Sequence, residues 1–284
     1  MRNFYILCHG GFGNRFNALV GGLYIAARLQ WKPVVLWPLN NWCAAAFSDI
    51  FENAFDCEPF QREDFLHRPG VIKVMHDDPL RLGSFININA VPSIKHLADA
   101  VGGQDIFYFN NLIPHHLIDD AALFSQVLNS LTFQRQILAD VNRVIATQTT
   151  GLYYGIHIRK TDFGSRSDGA EQYSFQLVKD RPSDTFFICS DDPATEQKFL
   201  QCPNVFAYKK EDYVAPYVQG GWNDTITCAE NFSWSFNVNR SKDSVIASIV
   251  DLLLLSRAKA IVSPNVGSTF CQTAALLSQS AINR

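Results

Sequence analysis

No basic field runs through this sequence: the formal charge is -3, and the lysines and arginines are scattered instead of gathered into one run. Nucleic acid is therefore not an expected partner. The seven cysteines (Cys8, Cys43, Cys57, Cys189, Cys202, Cys228, Cys271) are odd in number and form no C-x-x-C pair. That argues against a disulfide framework or a zinc ribbon and for reduced, buried thiols. No apolar run approaches the length of a membrane span, and the first one, Phe4 to Leu7, ends at once in a glycine loop, so no transmembrane segment is expected. No secretory leader is legible, which makes a cytoplasmic location the expectation and leaves the sequons at Asn223, Asn231 and Asn239 unmodified. There is no internal repeat, no low-complexity tract and no D-x-D motif; the last absence argues against metal dependence, and no cofactor is expected.

What the chain has is core-forming material, since 47% of its 284 residues are hydrophobic, only 18% are charged and 22 are phenylalanine. A chain of that size builds two lobes or one large α/β domain, either of which permits a cleft. Short apolar runs alternate with stretches of helical period: Phe4 to Leu7, a helix from about Asn14 to Leu29, then Val34 to Trp37. Further strands are expected at Val71 to Met75 and Ile106 to Phe109, and a helix at about Phe133 to Ile145. Such alternation predicts parallel sheets covered by helices. The polar, aperiodic stretch Ala146 to Gly151 marks the expected boundary between lobes 1-148 and 149-284. Beyond it, strands at Leu152 to Ile158, Thr185 to Cys189, Val205 to Ala207 and Ala260 to Val262, with a helix at about Asp243 to Ser256, read as a nucleotide-binding α/β lobe. The stretch from Lys209 to Asn239, with Tyr213, Tyr217, Trp222, Phe232, Trp234 and Phe236, lacks periodicity and reads as a long loop. Its aromatic faces either border an acceptor sugar or pack in the ordinary way.

Four constellations carry candidate chemistry, each at the expected C-terminal end of a strand. In the first, His9-Gly10-Gly11-Phe12-Gly13-Asn14-Arg15, glycines let the backbone approach a ligand, and the N–H groups of the next helix face an anion. The same glycines also simply permit a tight strand-to-helix turn. In the second, Gly155-Ile156-His157-Ile158-Arg159-Lys160-Thr161-Asp162, the period of two puts His157 and Arg159 on one face. Arg159 can clasp a phosphate with paired N–H groups and stays cationic at any working pH; the alternative is an ion pair with Asp162. In the third, Cys189-Ser190-Asp191-Asp192-Pro193, a carboxylate can accept from the Watson–Crick edge of guanine, or Asp192 caps the helix that begins at Pro193, or the acidic pair binds a divalent metal. The fourth runs from Asp251 through Ser256 to Gly267-Ser268-Thr269-Phe270-Cys271, where hydroxyls and N–H groups can meet phosphate or Ser268 can be an N-cap.

Taken in order, Gly-Gly-Phe-Gly-Asn-Arg, then His157-Ile158-Arg159-Lys160-Thr161-Asp162, then Ser190-Asp191-Asp192-Pro193, then Asp251-Leu-Leu-Leu-Leu-Ser256 with Gly267-Ser268-Thr269-Phe270, the pattern resembles the α1,6-, α1,2- and protein O-fucosyltransferase superfamily, in its nodulation-fucosyltransferase-like form. The likeness spans Gly10 to Cys271. It implies a GT-B-like α/β fold of two Rossmann-like lobes whose parallel sheets face a central cleft, with an acceptor-side lobe at 1-148 and a donor-binding lobe at 149-284. It also implies GDP-fucose as donor substrate, an oligosaccharide or polysaccharide acceptor, inversion at the anomeric carbon and no metal. By matching positions, Arg159 holds the diphosphate and stabilises the leaving group. His157, Asp191 and Asp192 contact the nucleoside. Gly11, Phe12, Gly13 and Asn14 shape one side of the phosphate pocket, and Gly267, Ser268, Thr269 and Phe270 the other.

The departures fall at the general base. Where α1,6 enzymes carry a lysine and then an acidic residue after the arginine box, this chain has Phe163 followed by Gly164-Ser165-Arg166-Ser167-Asp168. Asp162, Asp168 and Glu171 are the nearest carboxylates that can take the acceptor proton. Cys271-Gln272-Thr273-Ala274 replaces the aromatics typical of α1,2 enzymes after the serine motif, which places the chain on the α1,6 and O-fucosyl side. Two alternatives stay open: transfer of another GDP-sugar, and a GDP-sugar-binding protein without catalysis. A dinucleotide oxidoreductase fits worse, because Gly11-Phe12-Gly13 lacks the third fingerprint glycine and no acidic residue ends the second strand at Trp37.

Overall fold

The computed structural model describes residues 2–60, 64–65, 68–77, 82–149, 151–161, 168–222, 225–226, 235–262 and 268–280. In chain order the first half carries β1 (Asn3–Leu7), α1 (Phe12–Leu29), β2 (Lys32–Leu36), α2 (Phe47–Ile50), β3 (Cys57–Glu58), β4 (Val71–Met75), β5 (Ile86–Asn87), α3 (Ile94–Val101), β6 (Asp105–Phe109), α4 (Ala121–Ser130) and α5 (Arg135–Gln148). The second half carries β7 (Tyr154–Ile158), α6 (Asp168–Asp180), β8 (Phe186–Ser190), α7 (Pro193–Phe199), β9 (Val205–Phe206), β10 (Thr225–Ile226), β11 (Ser235–Phe236), α8 (Lys242–Ser256), β12 (Ala260–Ile261) and α9 (Thr269–Ser278). The chain divides into two compact units, one built on Met1–Trp42 and Glu52–Thr132, the other on Cys43–Phe51, Phe133–Ile226 and Phe236–Arg284. Among the described residues, no helix is long and apolar enough to cross a membrane, and the cysteines are free thiols.

The first unit is a parallel six-stranded sheet in the order β3-β2-β1-β6-β4-β5. Its central strands are apolar on both faces because helices or loops cover both. One face buries Tyr5, Leu7, Val34, Leu36, Phe60, Phe65, Phe107 and Phe109 as one cluster. On the other, α1 lies directly over β1: a Cβ added at Gly22 would meet Ile6 Cγ2 at 2.7 Å. The absent side chain is what lets helix and strand backbones approach that closely. From β1 the chain builds β2 and β3 on one side and later returns to place β6 on the other. The order therefore switches between β1 and β6, and open α/β sheets bind ligands beyond the carboxyl ends at such a point.

The second unit repeats the principle with a parallel four-stranded sheet, β12-β7-β8-β9. Ile156, Ile158, Phe186 and Ile188 pack with Val178 and Phe199 on one face. On the opposite face Gly155 admits α8, since a Cβ there would lie 2.5 Å from Leu255 Cδ1. Helix α8 is buried nearly all round, from Val245 to Ser256, which explains its run of leucines. It packs against α5 and α9 as well as the sheet, and Arg257 at its end donates to Asn142 Oδ1 of α5 at 2.6 Å. This sheet switches between β7 and β12. The stretch read as a loop over 209–239 contains the paired two-residue strands β10 and β11, and buried Asn237 just after them ties it further, accepting from Val218 N–H at 2.9 Å and donating to the Val218 and Gly221 carbonyls.

Candidate functional site

In the first unit the turn after β1 forms as the glycines suggest. Gly10 has φ +85°, a conformation in which a side chain is strained, and a Cβ would also press on Asn14 Nδ2 at 3.0 Å. Gly11 is the N-cap of α1, with no side-chain cap and no acidic residue in the first turn, so the helix opens on backbone N–H groups alone. Gly13 is buried in that turn and Asn14 is half-buried, whereas the Phe12 ring turns inward, 5.9 Å from Phe16. Beneath the turn lies fully buried Arg15, which donates to Gly10 O at 2.7 Å, Pro38 O at 2.8 Å and Asn40 Oδ1 at 3.1 Å, with its guanidinium over Trp37. Arg15, the last letter of the glycine motif, is the tie between that turn and the segment after β2, a role its place in the motif does not show. His9 beside it is half-buried, and the desolvation of its ring, with help from Arg15, pushes its pKa down to about 3 and keeps the ring neutral.

In the second unit β7 carries His157 on the face opposite Ile156 and Ile158, and Arg159 is the first residue past its end. His157 shares that face with Gly155 and reaches α9, where its ring stacks on Phe270 with centroids 4.7 Å apart and planes 23° off parallel. Its Nδ1 lies 3.5 Å from Cys271 Sγ. Burial, and then the charges of Arg159 and Lys210, lower its pKa to about 3, so this ring too is neutral. Ser268 caps α9, accepting from Cys271 N–H at 3.1 Å, and Thr269 is the first helical residue. Three of the four sequence constellations thus supply residues to one end of this sheet. Gly267 and Asp162 lie outside the described residues. Asp168 is the first residue of α6.

The acidic pair after β8 is engaged within the protein. Both oxygens of Asp191 accept from Lys160 and Thr161, and Asp192 Oδ2 caps α7 by accepting from Thr195 N–H at 2.8 Å and Thr195 Oγ1 at 2.6 Å. Glu171, a candidate base by proximity, pairs with Lys160 at 2.7 Å and Lys198 at 2.6 Å. Burial raises its pKa, but those two ammonium groups outweigh it and hold the carboxyl below its ordinary range, the wrong direction for a base.

A buried ionic cluster under this end of the sheet was not visible in sequence. Lys210 donates to Ser190 O at 2.7 Å, to Glu196 Oε1, and to Asp251 Oδ2 at 2.7 Å, and all three side chains are almost wholly buried. Burial works against the charge on Lys210, yet Asp251 and Glu196 hold its pKa above the lysine range. Burial raises Asp251 above the carboxylate range; Lys210 opposes the shift and Glu196 adds to it. Tyr213, from the aromatic loop, donates to Glu196 Oε2, while Tyr217 is half exposed. Among the described residues, no group of His, Cys, Asp and Glu is arranged to hold a metal ion.

No protein-family model and no curated protein matches the chain. Solved structures do. The selenomethionine form of the fucosyltransferase NodZ from Bradyrhizobium superposes with a TM-score of 0.61 at 15% identity, over 97% of this chain and 92% of that one. NodZ α1,6-fucosyltransferase soaked with GDP-fucose gives 0.59 at 15% identity, and the form co-crystallised with GDP gives 0.59 at 14%, each over 97% of this chain and 92% of the other. At these identities the likeness establishes a shared fold: an α/β architecture with parallel sheets.

Proposed function

We propose that this protein is an inverting glycosyltransferase that moves L-fucose from GDP-fucose to a hydroxyl of an oligosaccharide or polysaccharide acceptor without a metal ion. The observation that carries the reading is the convergence at the switch point of the second sheet. His157, stacked on Phe270, the exit of Arg159 from β7, and the capped start of α9 all meet there, in a fold shared with a fucosyltransferase studied with GDP and GDP-fucose. A neutral, stacked His157 together with Asp192 suits the nucleoside, and cationic Arg159 suits the diphosphate. Gly267, Ser268, Thr269 and Phe270 complete this donor lobe, 149-284. Gly11, Phe12, Gly13 and Asn14 offer the acceptor-side lobe, 1-148, a second set of N–H groups suited to phosphate.

In the transfer, the acceptor hydroxyl attacks the anomeric carbon on the face opposite GDP. As the glycosidic bond to the β-phosphate breaks, negative charge grows on the departing diphosphate, where Arg159 is the fixed counter-charge. The acceptor proton goes to a carboxylate, for which Asp162 and Asp168 are the proposed bases. Arg159→Ala should reduce kcat by about a hundredfold or more while leaving the thermal midpoint near that of the unaltered protein. The assay is release of GDP from GDP-fucose across a glycan panel, with and without EDTA. Near-normal turnover in the variant would overturn the mechanism, and stabilisation by UDP but not GDP in a thermal-shift series would overturn the donor.

A further inference from the structure

The side chain of Asp191 is spent on the turn that follows Arg159. Its Oδ1 accepts from the backbone N–H groups of Lys160 at 2.7 Å and Thr161 at 3.4 Å, and its Oδ2 accepts from the Thr161 hydroxyl at 2.6 Å. The β7–β8 ladder ends at the pair Ile158 and Ser190, so beyond that point strand pairing no longer holds the chain. Asp191 supplies the next tie, one residue past the end of β8. Its own base is firm, because Ser190 N–H donates to Glu196 Oε1 at 2.8 Å and Ser190 O accepts from Lys210 at 2.7 Å. Lys160 is gripped a second time, through its ammonium, by Glu171 at 2.7 Å. Arg159 thus leaves the sheet between a strand on one side and a carboxylate-clamped turn on the other.

We propose that Asp191 is a positioning residue, which fixes the Lys160–Thr161 backbone and so sets the direction in which Arg159 is presented to the diphosphate. The proposal rests on the fucosyl-transfer reading above and refines it, since it withdraws Asp191 from contact with the nucleoside. Hydrogen bonds to an ionised carboxylate are the stronger kind, and a small misplacement of a charged group at a reacting centre costs far more than its strain.

The test is calorimetric titration with GDP, carried to millimolar concentration, on the full chain and on Asp191→Ala, Asp191→Asn, Thr161→Val, Arg159→Ala and the Asp191→Ala/Arg159→Ala pair. Asp191→Ala should weaken GDP binding by about ten- to a hundredfold, and the isosteric Asp191→Asn, which serves if the alanine variant does not fold, by about tenfold. Thr161→Val alters only the partner hydroxyl and should reproduce part of the loss, about threefold. In the Arg159→Ala background the further loss on removing Asp191 should nearly vanish, because the two residues act as one unit. Ser241→Ala, which removes the side-chain cap of α8, should lower stability without changing GDP affinity. A loss at Asp191 that persists in full beside Arg159→Ala, with Thr161→Val binding normally, would overturn the inference alone. No binding of GDP by the unaltered protein overturns the fucosyl-transfer reading and this inference with it.

Discussion

The two units solve the same problem with opposite electrostatics. Each must hold an irregular turn just past the end of a central parallel strand, next to a neutral histidine. In the first unit a buried cation does it: Arg15 gathers two carbonyls and an amide oxygen around the glycine turn. In the second a carboxylate does it, Asp191, standing on a cluster in which Lys210 is shared by Glu196 and Asp251. A glycine turn exposes carbonyls that need donors, whereas a turn that carries an arginine outward exposes N–H groups that need an acceptor. The sign of the charge follows from which backbone groups the turn leaves over.

The largest effect that tests this contrast comes from deleting the cations. Lys210→Met leaves two carboxylates buried together and should cost about 3–5 kcal/mol of stability. Arg15→Met leaves mainly carbonyl oxygens without a donor and should cost less, about 2–3 kcal/mol. Urea unfolding of both variants measures the difference. A Lys210→Met protein within 1 kcal/mol or so of the parent would mean the cluster offsets its own desolvation and anchors nothing.

How far this design was readable beforehand depends on the range of each interaction. Strands such as β1, β7 and β8 are buried on both faces and show as apolar runs, and α8 announces itself by Val245 to Leu255. The two-residue strands β3 and β5 carry too few side chains to show a period. Helix α3 does not stand out in the sequence, although Ser93 caps it and Gly102 ends it in a left-handed conformation, because with eight residues it spans barely two turns. At the site, His157 and Arg159 could be placed on one face by alternation alone. Lys210 could not be paired with Glu196 and Asp251, which lie 14 and 41 positions away, because a charge in sequence does not name its partner. Asp191 stood in a recognised motif, yet motif membership could not show that its oxygens turn back onto Thr161.

A medium-sized effect separates the units by pH. His9 and His157 have folded-state pKa values near 3, against 6.5 in an unfolded chain. The unfolded state therefore binds the extra proton as pH falls below 6.5, and each histidine's contribution is lost progressively, about 2 kcal/mol at pH 5. In the second unit Asp251 runs the other way. Its folded pKa is raised, so the folded state holds a proton the unfolded state gives up, and its contribution is present at low pH and lost as pH rises through the raised value. The first unit should accordingly lose protection on acidification, and the second should be partly compensated. Hydrogen exchange resolved by peptide, at pH 7 and pH 5 after correction for intrinsic rates, should show β1 and β6 loosening more than β7 and β8. Asp251→Asn should remove the compensation; equal loosening of both sheets in the unaltered protein would end the contrast.

The smallest effect concerns the two helix starts proposed to meet phosphate. Helix α9 carries a side-chain cap, Ser268, whereas α1 begins at Gly11 with none. Ser268→Ala should cost about 1 kcal/mol of stability through the lost cap. Gly11→Ser should do the reverse, adding a few tenths of a kcal/mol, since Gly11 has an extended backbone and a Cβ there meets nothing within 4 Å. The same new hydroxyl would, however, take up one of the N–H groups at the start of α1. If those groups serve the donor's phosphates, the stabilised variant must bind GDP more weakly, and stability and affinity will move in opposite directions at a single atom. Gly11→Ser with unchanged GDP affinity would remove the start of α1 from the proposed phosphate contacts.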